Sequence, residues 1–234
     1  MNLHIIMHES FEAPAAILTW AKKNNHNVTF TRCYERDNFP ANTDNFDFLI
    51  VMGGPQSPAT TLKQCSHFDA KKEIAFIKKA IDNGKLALGA CLGAQMIGEA
   101  LGGKFEHSPN KEIGVFELTL TYAGKSDEIF SKFPNIFPVA HWHGDMPGLT
   151  KTSEILATSI GCPRQIVRYT PKVYGFQCHF EFTKESVEGM IQNSQEELKQ
   201  LKGGKYIQSE NVLRNSDYSS MNKLLFMFLD EFTK

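Results

Sequence analysis

Along the first hundred residues, apolar runs of strand length alternate with stretches of helical periodicity. Leu3–His8 reads as a first strand, and Pro14–Asn25 as a helix with proline in its first turn. Val28–Cys33 and Phe46–Met52 follow as strands, the second apolar throughout, as expected of a strand buried on both faces. Phe68–Asp82 carries Phe68, Ile74, Ile77 and Ile81 at helical spacing and stops before Asn83-Gly84. Leu86–Ala90 is the next strand, and Leu92–Leu101 the helix after it, closed by Gly102-Gly103. This rhythm predicts an α/β protein with an open, mainly parallel sheet flanked by helices. The carboxyl ends of such strands carry the site.

Beyond Lys104 the pattern changes. Gly114–Leu120, Phe137–Trp142, Glu154–Thr158, Gln165–Arg168 and Val173–His179 are short strands at close spacing, which predicts an added antiparallel section. Thr183–Lys202 reads as one helix with Thr183 as N-cap, broken by Gly203-Gly204. Asn222–Phe232 reads as a terminal helix with Leu224, Leu225, Phe228 and Leu229 on its apolar face. Gly203 to Ser220 is the stretch expected to be most mobile. No repeat, low-complexity tract or linker divides the chain, so residues 1–234 are expected to form a single domain.

Composition narrows the class without naming a function. At 234 residues and 41% hydrophobic content the chain can bury one substantial core. A formal net charge of −1 supplies no basic excess to neutralise phosphates, so neither nucleic acid nor an anionic membrane is expected as a partner. The pairs Lys22-Lys23, Lys71-Lys72 and Lys78-Lys79 fall on helical stretches and read as solvated faces. Five widely spaced cysteines without C-x-x-C suggest neither a disulfide framework nor a zinc module. The first residues lack the features of a signal peptide and no window is apolar enough to span a bilayer, so a cytoplasmic location is expected.

Chemistry concentrates in three segments. Gly89-Ala90-Cys91-Leu92-Gly93-Ala94-Gln95 follows an apolar strand directly and has the form of a nucleophile elbow. The glycines flank Cys91 because the turn is sharp and backbones pass close by. Cys91 then stands at the mouth of a helix, where the dipole and free N–H groups are expected to favour the thiolate. Val173-Tyr174-Gly175-Phe176-Gln177-Cys178-His179-Phe180-Glu181 reads as a strand, whose alternation puts His179 and Glu181 on one side and Cys178 on the other. Glu181 can hold and polarise the imidazole, giving the nucleophile–base–orienter set of a cysteine triad. Upstream, Gly53-Gly54-Pro55 ends a strand with unobstructed N–H groups, which suits an oxyanion hole. The Ser10–Pro14 loop also lies at a strand's carboxyl end and would border the same pocket.

These segments, with His141-Trp142-His143-Gly144-Asp145, resemble the class I (triad-type) glutamine amidotransferases, the last stretch being similar to the S-H-G-D of the glutaminase half of GMP synthetase. The pattern departs at Cys178 and Phe180 around the histidine, and at Ala94 where a histidine usually precedes the glutamine. The resemblance implies a flavodoxin-like three-layer fold and assigns roles. Cys91 would attack the glutamine side-chain amide, with His179 as base and then acid and Glu181 orienting it. The N–H groups of Gly54 and Leu92 would hold the oxyanion, each donor worth about 3 kcal/mol. Gln95, Gly53 and the Trp142, His143, Gly144, Asp145 stretch would contact substrate, and no cofactor is implied.

Other readings stay open. His141 and His143 have metal-binding spacing on a strand, but the sequence spacing offers no third ligand, so no metal is expected. Cys33, Cys65 and Cys162 have no neighbouring base in sequence, and Trp20 reads as packing. No G-x-x-x-x-G-K-[ST] loop is present. An amidotransferase of this kind would therefore need a separate synthetase or acceptor subunit. Acting alone, the same triad would serve a γ-glutamyl hydrolase or peptidase. A catalytically silent binding or regulatory subunit is the non-enzymatic alternative.

Overall fold

The structure, a computed structural model, describes residues 1–234. In chain order it contains β1 (Asn2–Met7), α1 (Ala16–Lys23), β2 (Asn27–Arg32), β3 (Phe48–Val51), α2 (Ala70–Asp82), β4 (Leu86–Ala90) and α3 (Leu92–Ala100). There follow β5 (Glu106–Leu120), α4 (Tyr122–Ser126), β6 (Ile136–Met146), β7 (Glu154–Thr158), β8 (Ile166–Thr170) and β9 (Val173–Phe176). The chain closes with α5 (Lys184–Asn193), α6 (Gln195–Gln200), α7 (Glu210–Asn215) and α8 (Ser219–Phe232).

One nine-stranded sheet runs in the order β2-β1-β3-β4-β9-β8-β7-β5-β6. The strands from β2 to β9 pair in parallel, and those from β9 to β6 antiparallel. The parallel half and the antiparallel extension expected from the sequence are thus parts of one mixed sheet. The strand order reverses between β1 and β3, and ligands in open α/β sheets bind beside such a reversal. The loops after β1, β3, β4 and β9 all open at that end.

Apolar side chains fill both faces. One cluster joins α1 and α8 to the sheet and includes Trp20, Phe130, Phe176 and Phe228; the other packs α2 and α3 and includes Phe46, Phe68 and Ile97. The phenylalanines therefore serve the core: Phe176 and Phe228 lie 4.8 Å apart, edge to face. Trp20 is buried, and its indole N–H donates to Asp230. No helix is long and apolar enough to cross a membrane.

Four segments differ from the sequence pattern. β9 ends at Phe176, so His179 lies beyond the regular strand, where its N–H donates to the Ala140 carbonyl at 2.8 Å. The expected helix from Thr183 is two, α5 and α6, divided at Ser194; Thr183 does cap the first, in a capping box with Ser186. β5 and β6 are longer than their apolar cores because their polar ends pair across a bulge. The stretch expected to be mobile is tied down: Gln208 bonds both the N–H and the carbonyl of Val115, and α7 follows with Ser209 as its cap.

Candidate active site

The turn from β4 into α3 holds Cys91 at φ 52°, ψ −111°, a backbone conformation rare for a side-chain-bearing residue and typical of a nucleophile elbow. Both flanking glycines are sterically required. A Cβ on Gly93 would lie 2.0 Å from the Val51 carbonyl oxygen, and one on Gly89 2.3 Å from the Gly93 backbone. The Cys91 N–H donates to Phe176 at 2.7 Å, joining the elbow to the end of β9.

Cys91 opens onto a cavity of about 350 Å³ lined also by Glu12, Gly54, Gln95, Lys111, Trp142 and Glu197. A larger groove of about 800 Å³ lies elsewhere, around Arg168 and the Thr170–Pro171 turn before β9, and is lined by no cysteine. In the smaller cavity the Cys91 thiol donates to the Trp142 carbonyl at 3.7 Å and accepts from Gln177 Nε2 at 3.4 Å. His179 Nδ1–H donates to Glu181 at 2.7 Å, and its ring stacks on Phe182 with centroids 4.1 Å apart. The other ring nitrogen, Nε2, is buried with no hydrogen-bond partner. Cys178 is buried away from this centre, its thiol toward the Gln165 carbonyl.

Burial pushes the Cys91 thiol up, and this outweighs the downward pull of His179 and of the Leu92 N–H. The helix mouth does favour the thiolate, through the Leu92 N–H, but desolvation outweighs that pull. Burial also disfavours an imidazolium at His179, but Glu181 and Cys91 more than offset it and hold that pKa well above the ordinary histidine value. Cys91 thus sits beside an imidazole with a strong affinity for its proton.

The Gly53-Gly54 turn is oriented by a residue that carries no signal at the level of sequence. His8 is fully buried; its Nδ1–H donates to the Gly53 carbonyl at 2.9 Å and its Nε2–H to Glu73 at 2.9 Å. Desolvation is outweighed by Glu73, and the His8 pKa is raised. In a trans peptide the N–H points opposite to the carbonyl. Tying back the Gly53 carbonyl therefore turns the Gly54 N–H the other way, and it has no acceptor in the protein. Gly53 itself does not line the cavity; Gly54 does.

The remaining expected residues divide. Gln95 lines the cavity, donates to Gln177 at 3.2 Å and leaves its own Oε1 unpartnered. The Trp142 indole N–H donates to Glu197 at 2.9 Å, and Lys111 pairs with the same carboxylate, making a polar rim. Gly144 and Asp145 line the same wall, Asp145 held at 2.6 Å by His107. His143 touches the cavity but directs its Nε2 into a buried cluster with His141 and Glu112. That cluster supplies the third side chain the sequence spacing did not offer. The loop after β1 borders the cavity as expected, through Phe11 and Glu12. Burial raises the Glu12 carboxyl to about 7 despite the nearby His179.

An elbow cysteine, a carboxylate-held histidine and a Gly-Gly turn thus lie together at the carboxyl ends of adjacent parallel strands of an α/β sheet. The chain belongs to the class I glutamine amidotransferase family: the family model "Glutamine amidotransferase class-I" matches residues 12–196. It is 48% identical over 233 residues to the glutamine amidotransferase-like protein YfeJ of Salmonella typhimurium, an alignment covering 100% of this chain and 98% of that one. It is also 33% identical over 149 residues to the glutamine-hydrolysing GMP synthase of Lactococcus lactis, covering 62% of this chain but 26% of that enzyme. Among solved structures, SMU.1228c superposes with a TM-score of 0.97 at 46% identity, each chain covered completely. A glutamine amidotransferase from Thermotoga maritima shares the fold, with a TM-score of 0.87 at 20% identity over 100% of this chain and 98% of that one.

Proposed function

We propose that this chain hydrolyses the side-chain amide of glutamine to glutamate and ammonia through a thioester on Cys91. The observation that carries this reading is the buried set of Cys91, His179 and Glu181, with His179 Nε2 lacking any partner in the resting protein. His179 takes the thiol proton as sulfur attacks the amide carbon, and Glu181 stabilises the imidazolium. The N–H groups of Gly54 and Leu92 receive the oxyanion. When the tetrahedral intermediate collapses, the C–N bond breaks and His179 returns the proton to the leaving ammonia. Water, deprotonated by His179, then attacks the thioester; glutamate leaves and the Cys91 thiol is restored.

A cavity of about 350 Å³ has room for an amino-acid-sized substrate such as glutamine. In this reading Gln95, Trp142, Gly144 and Asp145 contact the substrate, while Gly53 and His143 support the walls. A relative from Methanococcus vannielii, 34% identical over 57% of this chain and 63% of that one, is named as one subunit of a glutamine-hydrolysing GMP synthase. By analogy the ammonia made here would pass to a separate acceptor-activating protein. Glutamine-dependent ammonia release by the purified protein tests the reaction. Cys91→Ser is expected to lower it by a factor on the order of 10³ or more with the fold intact, and retained turnover would remove Cys91 from the mechanism.

A further inference from the structure

Behind the wall that carries Trp142, three buried side chains converge. Strand alternation places His141 and His143 of β6 on one face, with Trp142 on the other, and Glu112 of β5 lies opposite His143 in the ladder. His141 Nδ1 and His143 Nε2 are 3.4 Å apart; they lie 3.7 and 3.4 Å from Glu112 Oε2. All three residues are less than 5% exposed. A point equidistant from these three atoms falls about 2.0 Å from each, the length of a zinc–nitrogen or zinc–oxygen bond.

We propose that Glu112 Oε2, His141 Nδ1 and His143 Nε2 form a binding site for a divalent transition-metal cation, with zinc the best fit. His141 Nδ1 and His143 Nε2 both face Glu112 Oε2 at 3.7 and 3.4 Å, Gln165 Nε2 lies 3.2 Å from His143 Nε2, and the three facing atoms are spaced around a common centre. Two imidazoles and one carboxylate suit zinc and its neighbours, and disfavour magnesium and calcium, which take oxygen ligands. The outer shell is built as well. Ser159 Oγ lies 2.8 Å from both Glu112 oxygens, and Gln165 Nε2 donates to Oε2 at 2.7 Å. Gln165 Oε1 is buried without a partner, and rotation of that amide would exchange its Nε2 bond to Glu112 for an oxygen facing the same centre as a fourth ligand. A carboxylate this buried has a hydroxyl, an amide and two facing imidazoles around it, and burial of its charge costs free energy that a cation would recover.

The other convergent trio, His8, Cys33 and Glu73, is closed more tightly, His8 and Glu73 sharing a 2.9 Å hydrogen bond where the nearest histidine nitrogen stands 3.4 Å from Glu112. Access to Glu112 is from a second cavity of about 320 Å³, away from Cys91, bordered by Val115, Phe116 and Ile160. The cation would take no part in thioester chemistry. It would pin β6 to β5 on either side of Trp142, whose carbonyl receives the Cys91 thiol, and so fix the wall of the catalytic cavity. The site stands independently of the glutaminase reading, since no ligand belongs to the triad.

The test is calorimetric titration of chelator-treated, folded full-length protein with zinc chloride, repeated with cobalt(II) to read its visible absorption. One equivalent is expected, with a tetrahedral cobalt spectrum that lacks a thiolate charge-transfer band. Glu112→Gln and His141→Ala should each weaken zinc binding by roughly 100-fold, while Cys91→Ser leaves it unchanged. The proposal is overturned if the wild-type protein takes up no zinc or if both variants bind as the parent does. Loss of binding in Cys91→Ser, or a thiolate band with cobalt, would place the metal at the triad and equally overturn it. Near-UV circular dichroism reports whether each variant is folded; should neither be, the wild-type cobalt spectrum alone decides.

Discussion

Glu12 is a carboxyl that stays protonated to about pH 7 because burial denies its anion solvent, even with His179 nearby. In the unfolded chain the same group ionises near 4.5. The folded state therefore binds the extra proton between those values, and stability falls as pH rises from about 4.5 to about 7. Glu12→Gln is expected to remove that fall, raising stability at about pH 8 by on the order of 3 kcal/mol while leaving about pH 4 nearly unchanged. Denaturant midpoints of the two proteins at both pH values check this. Residues such as Glu12, His8, Glu112 and Lys111 carried no sequence signal, because a lone polar residue in a loop or strand looks solvated until tertiary packing buries it. Cys91, His179 and Glu181 could be read, because a glycine-flanked elbow and a two-residue His/Glu spacing are local patterns. The two side chains do meet, but not through strand alternation, since His179 is held by Ala140 beyond the end of β9.

The β4–α3 elbow is the element on which the site depends. Its glycines let α3 lie directly against β3, with no space at Gly93 for even a methyl group. Gly93→Ala must push the helix N-terminus off the Val51 carbonyl, and a loss of about 3 kcal/mol is expected, together with loss of activity from displacement of the Leu92 N–H. Thermal unfolding and ammonia release measured on one preparation check both effects. Elements with strong apolar periodicity, such as β4 and α2, were legible almost to the residue. The misread ones are those whose limits are set by partners. α5 and α6 are divided at Ser194 without glycine or proline, and α7 is a short polar helix that depends on its Ser209 cap and on packing against α5.

At the scale of the molecule, a single sheet from β2 to β6 carries elements from both halves of the chain, and α8 returns to pack against α1. Nothing in that arrangement lets one half unfold alone, so calorimetry is expected to show one cooperative transition; two separated transitions would mean two folding units. The parallel half was legible because the βαβ rhythm is itself a topology, whereas the order β9-β8-β7-β5-β6 depends on pairings that short strands do not specify. The same sheet brings Glu12, Gly54, Cys91 and His179 from four separate loops to one end, and the central claim is that they form a working γ-glutamyl pocket. Incubation with 6-diazo-5-oxo-norleucine, a glutamine analogue that alkylates glutaminase nucleophiles, followed by mass spectrometric mapping of the adduct, tests that claim most directly. One adduct is expected, on Cys91, suppressed by excess glutamine. Folded protein that remains unmodified, or is modified at another cysteine, would contradict it.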